Sequence, residues 1–380
     1  MEIFVRVDSD FSGKRVLVIG DAMTDEFAYC EYVKRSPEAD CDVVRVSRRV
    51  VTPGGAANVA RCVEALGASA TLISGSGSVR KTRIVVDGRQ VVRVDEEERL
   101  RLPGTTAFSS IEKCDAVIVS DYAKGTVSPL LMRLILDETR ERSIPVIVDP
   151  KGEDFSVYDG ATVLMPNEQE YESARHRGST PILVTLGERG MRLDWITIPP
   201  FRVRVRDVAG AGDSATAAAA LMLSRGASLE DAARVAVVCA GLAVAKEGVA
   251  TVSADELRAG LSRRVGFCNG CFDLLHPGHV HFLWHARQQC DWLVAAVNTD
   301  ESVRRLKGEG RPAQSLAQRR AALDSLHFVD EIVICDDPPD GAIRTIEPSV
   351  IFRGHDQTPP ASGEWVRISR LGNFSTTGLL

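Results

Sequence analysis

Short runs of β-branched and other apolar residues recur along the chain, each closing on an acid, a glycine or another polar residue. "KRVLVIGD" (Lys14–Asp21), "CDAVIVSDY", "IPVIVDPKG" and "TPILVTLGERG" are of this kind, with helical stretches between them. "GGAANVARCVEALGA" (Gly54–Ala68) opens on two glycines, continues with helical apolar spacing and stops at Gly67. Buried-type strands alternating with helices predict an α/β fold with a parallel sheet, whose ligands bind at the carboxyl ends of the strands. Asp21, Asp121, Lys151 and Gly187 fall at such ends.

Two stretches break the rhythm. "TRIVVDGRQVVRVDEE" alternates apolar and polar positions and turns at Asp87-Gly88, which predicts an antiparallel hairpin. The pattern fits a lid, an oligomer contact or a plain edge hairpin. At Ala259–Arg264, "AGLSRR", the alternation stops, and "VGFCNG" begins a second series. That series has a helix from Gly278, a strand "DWLVAAVN", a helix near Arg319–Leu326, and strands "EIVIC" and "VIFRG". The prediction is two α/β domains: residues 1–262, with a parallel central sheet and a hairpin flap, and a smaller Rossmann-like unit, residues 263–380.

Composition narrows the classes. The 380 residues are 44% hydrophobic and 26% charged, enough for a sizeable core. A net charge of −6 lacks the basic excess of a general nucleic-acid binder. The first residues lack the basic-then-apolar layout of a secretory signal, and no apolar run approaches the roughly 18 residues that span a bilayer. The nine scattered cysteines read as free thiols of a cytoplasmic protein with no membrane partner.

Two glycine-bearing loops carry candidate chemistry. In "DVAGAGDSA", Gly210, Ala211 and Gly212 precede an alanine-rich helix. Bare backbone and a helix N-terminus together suit an anion, and Asp213 sits where the helix end favours its ionised form. Such a carboxylate can take the proton of an attacking hydroxyl. The same residues also fit a capped helix with a tight turn. In "GFCNGCFDLLHPGHVHFL", His276 and His279 flank Pro-Gly at a helix start, placed to donate hydrogen bonds to a phosphate in a pentacoordinate transition state. They lack an acidic third ligand at helical spacing, so the zinc pattern fails, and His281 and His285 read as packed or surface residues. Cys268 and Cys271 form a C-x-x-C with no second pair nearby.

Ordered motifs add a resemblance. From Val16 to Ser253, "GGAANVA", "PNEQE", "VTLGERG" and "GAGD" resemble the ribokinase-like (PfkB-type) sugar kinases. "SDYAKG", "DPKG", "PNEQEYE" and "VRVDEEE" look most like heptose-7-phosphate kinase. The resemblance implies Asp213 as catalytic base, Gly210, Ala211 and Gly212 as anion hole, and Gly187 on the nucleotide side. It implies Asp21, Gly54, Gly55 and Asn58 against the sugar, Asp121 and Lys151 in the same cleft, and Asn167 and Glu170 helping to hold magnesium through water. From Val265 to Leu380, "GCFDLLHPGHVHFL", "VNTDESVRRLKG", "RPAQSLAQRR", "RGHD" and "FSTTGLL" resemble the HxGH nucleotidyltransferases of the cytidylyltransferase-like group. This implies His276 and His279 at the α-phosphate and leaving pyrophosphate, with Phe272 and Asp273 shaping the nucleotide loop. It also implies Lys307, Arg311 and Arg319 on phosphates, and Asp356, Ser375, Thr376 and Thr377 along the nucleotide.

The order of the two units resembles the bifunctional family that joins heptose-7-phosphate kinase to heptose-1-phosphate adenylyltransferase in ADP-heptose synthesis. It implies ATP with Mg2+, heptose phosphates as substrates, and a homodimer. The chain departs from the pattern in four places. Ala209 stands where a threonine is usual, and "SGSGS" runs straight into the hairpin. Only "YESARHRGS" separates Glu170 from Thr180, and Arg353-Gly354-His355-Asp356 replaces "KGGD". These departures leave open an alternative: a nucleotidyltransferase using ATP or CTP whose kinase domain is a non-catalytic scaffold.

Overall fold

The computed structural model describes residues 9–102, 108–354, 357, 360, 363–369 and 371. The chain forms two compact units that part between Gly260 and Leu261.

The first unit is built on a five-stranded, all-parallel sheet in the order Ser69–Ile73, Arg15–Gly20, Ala116–Ser120, Val146–Asp149, Val163–Leu164. The three central strands are covered on both faces, which is why they read as unbroken apolar runs, whereas the edge strand Ser69–Ile73 is largely exposed. On one face Leu17, Ile19, Val117, Val119 and Val148 pack with Leu131, Met132 and Ile135 of the helix Pro129–Glu141. Ser128 caps that helix, accepting a hydrogen bond from the Leu131 amide at 3.2 Å. Helices Ala56–Ala65 and Ala211–Leu223 cover the other face, with Leu229–Val244 packed outside. Every residue from Asp213 to Leu223 is buried, so this helix shows no polar stripe.

The expected hairpin forms from Val79–Val86 and Arg89–Glu97, with positive φ at Asp87 and Gly88 supplying the tight turn. It is half of a larger structure. Ala22–Arg35 and Asp42–Gly55 make a second, longer antiparallel ribbon, and Ala22–Arg35 pairs in parallel with Val79–Val86 to give a four-stranded flap. The long ribbon escaped the pattern analysis because charged residues interrupt it and two register shifts spoil its period.

The second unit is a parallel five-stranded sheet in the order Glu331–Cys335, Trp292–Asn298, Val265–Gly270, Val350–Arg353, Trp365–Arg367. The order in which the chain fills the sheet reverses between the parallel neighbours Val265–Gly270 and Val350–Arg353, and in such a sheet ligands bind at the carboxyl ends beside that point. The predicted helices appear as Pro277–Arg287 and Leu316–Asp324. The short edge strand Trp365–Arg367 and the helices Asp300–Lys307 and Asp340–Ile346 complete the unit.

Candidate active site

In the first unit, Gly210 takes a left-handed conformation at φ 78° and starts the helix that carries Asp213 in its first turn. A side chain at Gly210 would press on Asn58 and Val249, whereas one at Gly212 would meet nothing, so the backbone there faces open space. Asn58 Nδ2 donates to one Asp213 oxygen at 2.6 Å, and the Tyr122 hydroxyl lies 3.4 Å from the other. The helix end was expected to favour ionisation of Asp213. Burial wins instead and pushes its pKa up to about 6, with the Asn58 and Tyr122 hydrogen bonds pulling the other way.

Asp21 is placed differently from expectation. It is fully buried, and its carboxylate accepts the amides of Tyr122 (2.9 Å), Lys124 (2.9 Å) and Thr126 (3.0 Å). It cannot also face a ligand, and so it holds the 121–126 loop that presents Tyr122 to Asp213. The acid that does border this space is Asp25, which the motif analysis missed. It pairs with Arg83 at 2.5 Å, and a Cβ at Gly54 would lie 2.0 Å from its Oδ2. Gly55, at φ 56°, leaves equally little room, with the Asp21 carbonyl 2.4 Å from where its Cβ would sit.

Carboxyl groups crowd the strand ends. Asp121 accepts the Tyr158 hydroxyl at 2.7 Å and the Ala123 amide at 2.7 Å, and burial raises its pKa. Asp149, also unforeseen, is held well above the usual carboxylate range by burial and by the nearby Asp213 and Glu170 charges, with Lys151 opposing. Lys151 pairs with Glu170. Asn167 and Glu170 form a reciprocal capping box on the helix Glu168–Ser173, each side chain accepting the other's amide at 2.9 Å. The N-x-x-E spacing thus serves a helix cap here, and the surplus acid lies beside it in Asp149. Among the described residues no group of three or more acidic, histidine or cysteine side chains is placed to hold a metal ion by itself, so Asp149 and Glu170 would serve only beside a hydrated, nucleotide-bound cation. Gly187, at φ 60°, opens a short turn with open space where a side chain would be.

In the second unit, His276 is the residue before the helix Pro277–Arg287, and the His279 amide donates to its carbonyl at 2.9 Å. The two imidazoles stack with centroids 3.8 Å apart, and Phe272 lies 5.5 Å from His279. Phe272 and Leu274 both take positive φ, which throws the loop back over the strand end. Asp273 fixes it by accepting the amides of Ala313 and Gln314 and the Arg311 guanidinium, all at 3.0 Å. These bonds hold its carboxyl below the usual range despite the opposing effect of burial. The buried Arg353 guanidinium donates to the Asn269 side chain on the neighbouring strand, and Gln357 donates to the Asn269 carbonyl at 3.0 Å. Lys307 is exposed at the end of its helix. His281 and His285 contact each other edge to face on the helix. Asp356, Ser375, Thr376 and Thr377 lie outside the described residues.

Arg319 requires a correction. It is fully buried, and its guanidinium donates to Asp300 (2.6 Å), the Cys271 carbonyl (2.6 Å) and the Gln314 carbonyl (3.1 Å). With these donors committed it ties three segments together and does not face a phosphate. Arg319→Met is expected to destabilise the second unit by about 1–3 kcal/mol, since the Cys271 and Gln314 carbonyls lose their donor and the partly exposed Asp300 loses its partner. Thermal unfolding followed by calorimetry checks this, and an unchanged transition would contradict the clamp.

The comparisons agree with both halves. A pfkB family carbohydrate kinase model matches residues 77–256, and a cytidylyltransferase-like model matches residues 267–375. Bifunctional protein HldE of Caulobacter sp. (strain K31) is 37% identical, over 92% of this chain and 89% of the relative. HldE of Nitrobacter winogradskyi is 35% identical, over 99% and 98%. The chain belongs to the HldE family. It is a bifunctional transferase, a sugar kinase joined to a nucleotidyltransferase. Among solved structures, phosphofructokinase-2 from Escherichia coli in complex with substrates and products aligns with a TM-score of 0.53 at 22% identity, over 66% of this chain and 98% of that one. Arabidopsis thaliana ribokinase complexed with ribose and ATP aligns at 0.51 and 17%, over 66% and 99%. At that identity the likeness concerns the fold. The alignment to the Nitrobacter HldE extends over 479 positions against 380 residues here, so this member is a trimmed one.

Proposed function

We propose that the chain makes ADP-heptose in two separate steps: ATP-dependent phosphorylation of D-glycero-D-manno-heptose 7-phosphate at C1 by residues 1–262, and adenylyl transfer from ATP to heptose 1-phosphate by residues 263–380. The observation that carries the first step is the Asp213 carboxylate, held by Asn58 and Tyr122 at the mouth of the Gly210–Gly212 loop. Asp213 takes the anomeric proton as the sugar oxygen bonds to the γ-phosphorus and the bond to the β-phosphate oxygen breaks, releasing ADP. The backbone amides from Gly210 onward receive the transferring group at the positive end of the helix. Asp149 and Glu170, beside Asp213, are the residues that would hold Mg2+ with ATP; the ion would neutralise phosphate charge there.

In the second step an oxygen of heptose 1-phosphate bonds to the α-phosphorus, and pyrophosphate leaves. The nucleophile is already ionised near neutral pH, so no protein base is required. His276 and His279 donate hydrogen bonds to the charge that builds on the α-phosphate, and Arg311 and Lys307 supply cations along the pyrophosphate side. Arg353 and His355 stand where relatives have lysine and glycine, and turnover of ATP against CTP with heptose 1-phosphate decides between the nucleotides. Mass spectrometry of the products from heptose 7-phosphate and, separately, heptose 1-phosphate with ATP and magnesium tests both steps. Absence of heptose 1,7-bisphosphate in the first reaction, or of ADP-heptose in the second, would sink the corresponding half.

The trimmed length supports a second reading, in which the first unit only binds nucleotide or dimerises. The first of those two reactions separates the readings. A cytoplasmic homodimer belongs to the proposal in either case. Its support is the outer flap strand, where Val91, Val92 and Val94 are exposed. Sedimentation equilibrium is expected to give twice the 41.2 kDa chain mass, and the monomer mass would refute it.

A further inference from the structure

Two histidines on the helix Pro277–Arg287 have no role in either reaction above. His281 and His285 stand four residues apart, so one helical turn brings their side chains onto the same face. Their rings meet edge to face with centres 4.1 Å apart, and the Trp284 ring lies edge-on to His285 at 4.7 Å. Both histidines are half-buried. The Gln289 side chain donates to the His285 carbonyl at 3.2 Å, which leaves the ring untouched. Among the described residues, no hydrogen bond or ion pair engages a ring nitrogen of either histidine. A neutral imidazole keeps a lone pair on one nitrogen, so the pair offers two lone pairs that no protein donor claims.

The surroundings leave these rings open to a small ion. His281 forms part of the wall of an open cavity of about 560 Å³, together with Leu275, His276, Val280 and Trp284. No lysine or arginine lines that wall among the described residues, so nothing there repels a cation. Bonds from histidine nitrogen to zinc are about 2.0–2.1 Å long. Rings this close need only turn about their side-chain bonds to aim one nitrogen each at an ion between them. Imidazole selects zinc, copper or nickel, whereas magnesium and calcium take oxygen ligands. No third histidine, cysteine or carboxylate joins the pair among the described residues, so water fills the remaining positions and the ion is exchangeable.

We propose that His281 and His285 form a two-histidine chelate for a divalent transition-metal ion of the zinc type, beside the cavity that His276 borders. The site is separate from any magnesium that accompanies ATP, and it does not rest on either reaction.

The test titrates Zn2+ into the full chain by calorimetry near neutral pH, with Mg2+ in excess to fill oxygen-rich sites. Wild type is expected to bind one ion at His281 and His285 with a dissociation constant of about 1–100 μM, since the pair supplies half the ligands of a four-coordinate structural site. His281→Asn and His285→Asn should each weaken that binding about tenfold or more. The double variant should lose little beyond either single one, because removing one ligand already breaks the chelate. His327→Asn should leave binding unchanged. Zn2+ should also raise the melting temperature of wild type and not that of the double variant, since the chelate exists only in the folded helix. Equal Zn2+ binding by wild type and the double variant, or a loss confined to one of the two single variants, would overturn the proposal. Histidine-ring NMR of wild type gives a readout that needs no variant. Two rings should shift together up to one equivalent of Zn2+, and shifts at His276 and His279 in their place would overturn the assignment.

Discussion

Asp213→Asn is expected to reduce phosphorylation of heptose 7-phosphate by about 10³-fold or more while leaving adenylyl transfer to heptose 1-phosphate at its wild-type rate. The substitution keeps the shape of the side chain, and its amide oxygen can still accept from Asn58. What is lost is the capacity to take a proton. A carboxylate offers about four lone-pair sites, and Asn58 and Tyr122 engage one on each oxygen, so acceptor capacity remains for the sugar hydroxyl. The same reasoning fixes a pH dependence. A base must be deprotonated to act, and burial sets the Asp213 pKa at about 6. Kinase kcat/KM should be flat above that value and fall about tenfold per pH unit below it. Adenylyl transfer should not show this limb through Asp213. A rate assay of the two half-reactions from pH 5 to 8 checks both statements. Asp213→Asn retaining more than a tenth of the kinase rate would remove the residue from the chemistry.

His279→Ala is expected to have the opposite profile, with adenylyl transfer down by about 10²- to 10³-fold and the kinase step intact. The imidazole stands in the first turn of the helix Pro277–Arg287, stacked on His276 and braced by Phe272. This fixed placement is what makes a donor effective, since it needs no reorganisation as charge develops on the α-phosphate. The loop that sets it is locked from the far side by Asp273 and, behind that, by Arg319. Truncating His279 removes a donor without touching those locks, so the loss should appear in kcat more than in the KM for ATP. Pyrophosphate release from heptose 1-phosphate and ATP measures it. A loss confined to KM would reduce His279 to a binding contact.

The local pattern carried much of this protein. Unbroken apolar strands closing on polar residues, two glycines ahead of a helix, Asp87-Gly88 in an alternating run, and His-Pro-Gly-His before another helix are local signals, and each forms the element it predicts. They are legible because a parallel sheet covered on both faces and a tight turn each restrict residue choice over a few consecutive positions. The α/β class, the two series of strands and the positions of Asp213 and His279 at helix starts followed from them.

Other roles depend on pairings made between residues far apart in the chain, which no short window contains. Asp21 and Arg319 carry charges that suit ligands, yet both are spent on the backbone of distant loops, because a buried charge must be satisfied by whatever the fold brings to it. Asn167 and Glu170 have a spacing that serves a capping box as readily as a metal. Asp25 and Tyr122 lie almost a hundred residues apart in sequence and border one space only when the flap strands take up their register and the Asp21-bound loop closes. Residue type and local spacing established which groups could do chemistry. Burial and long-range pairing, which sequence pattern does not encode, decided which of them remained available to do it.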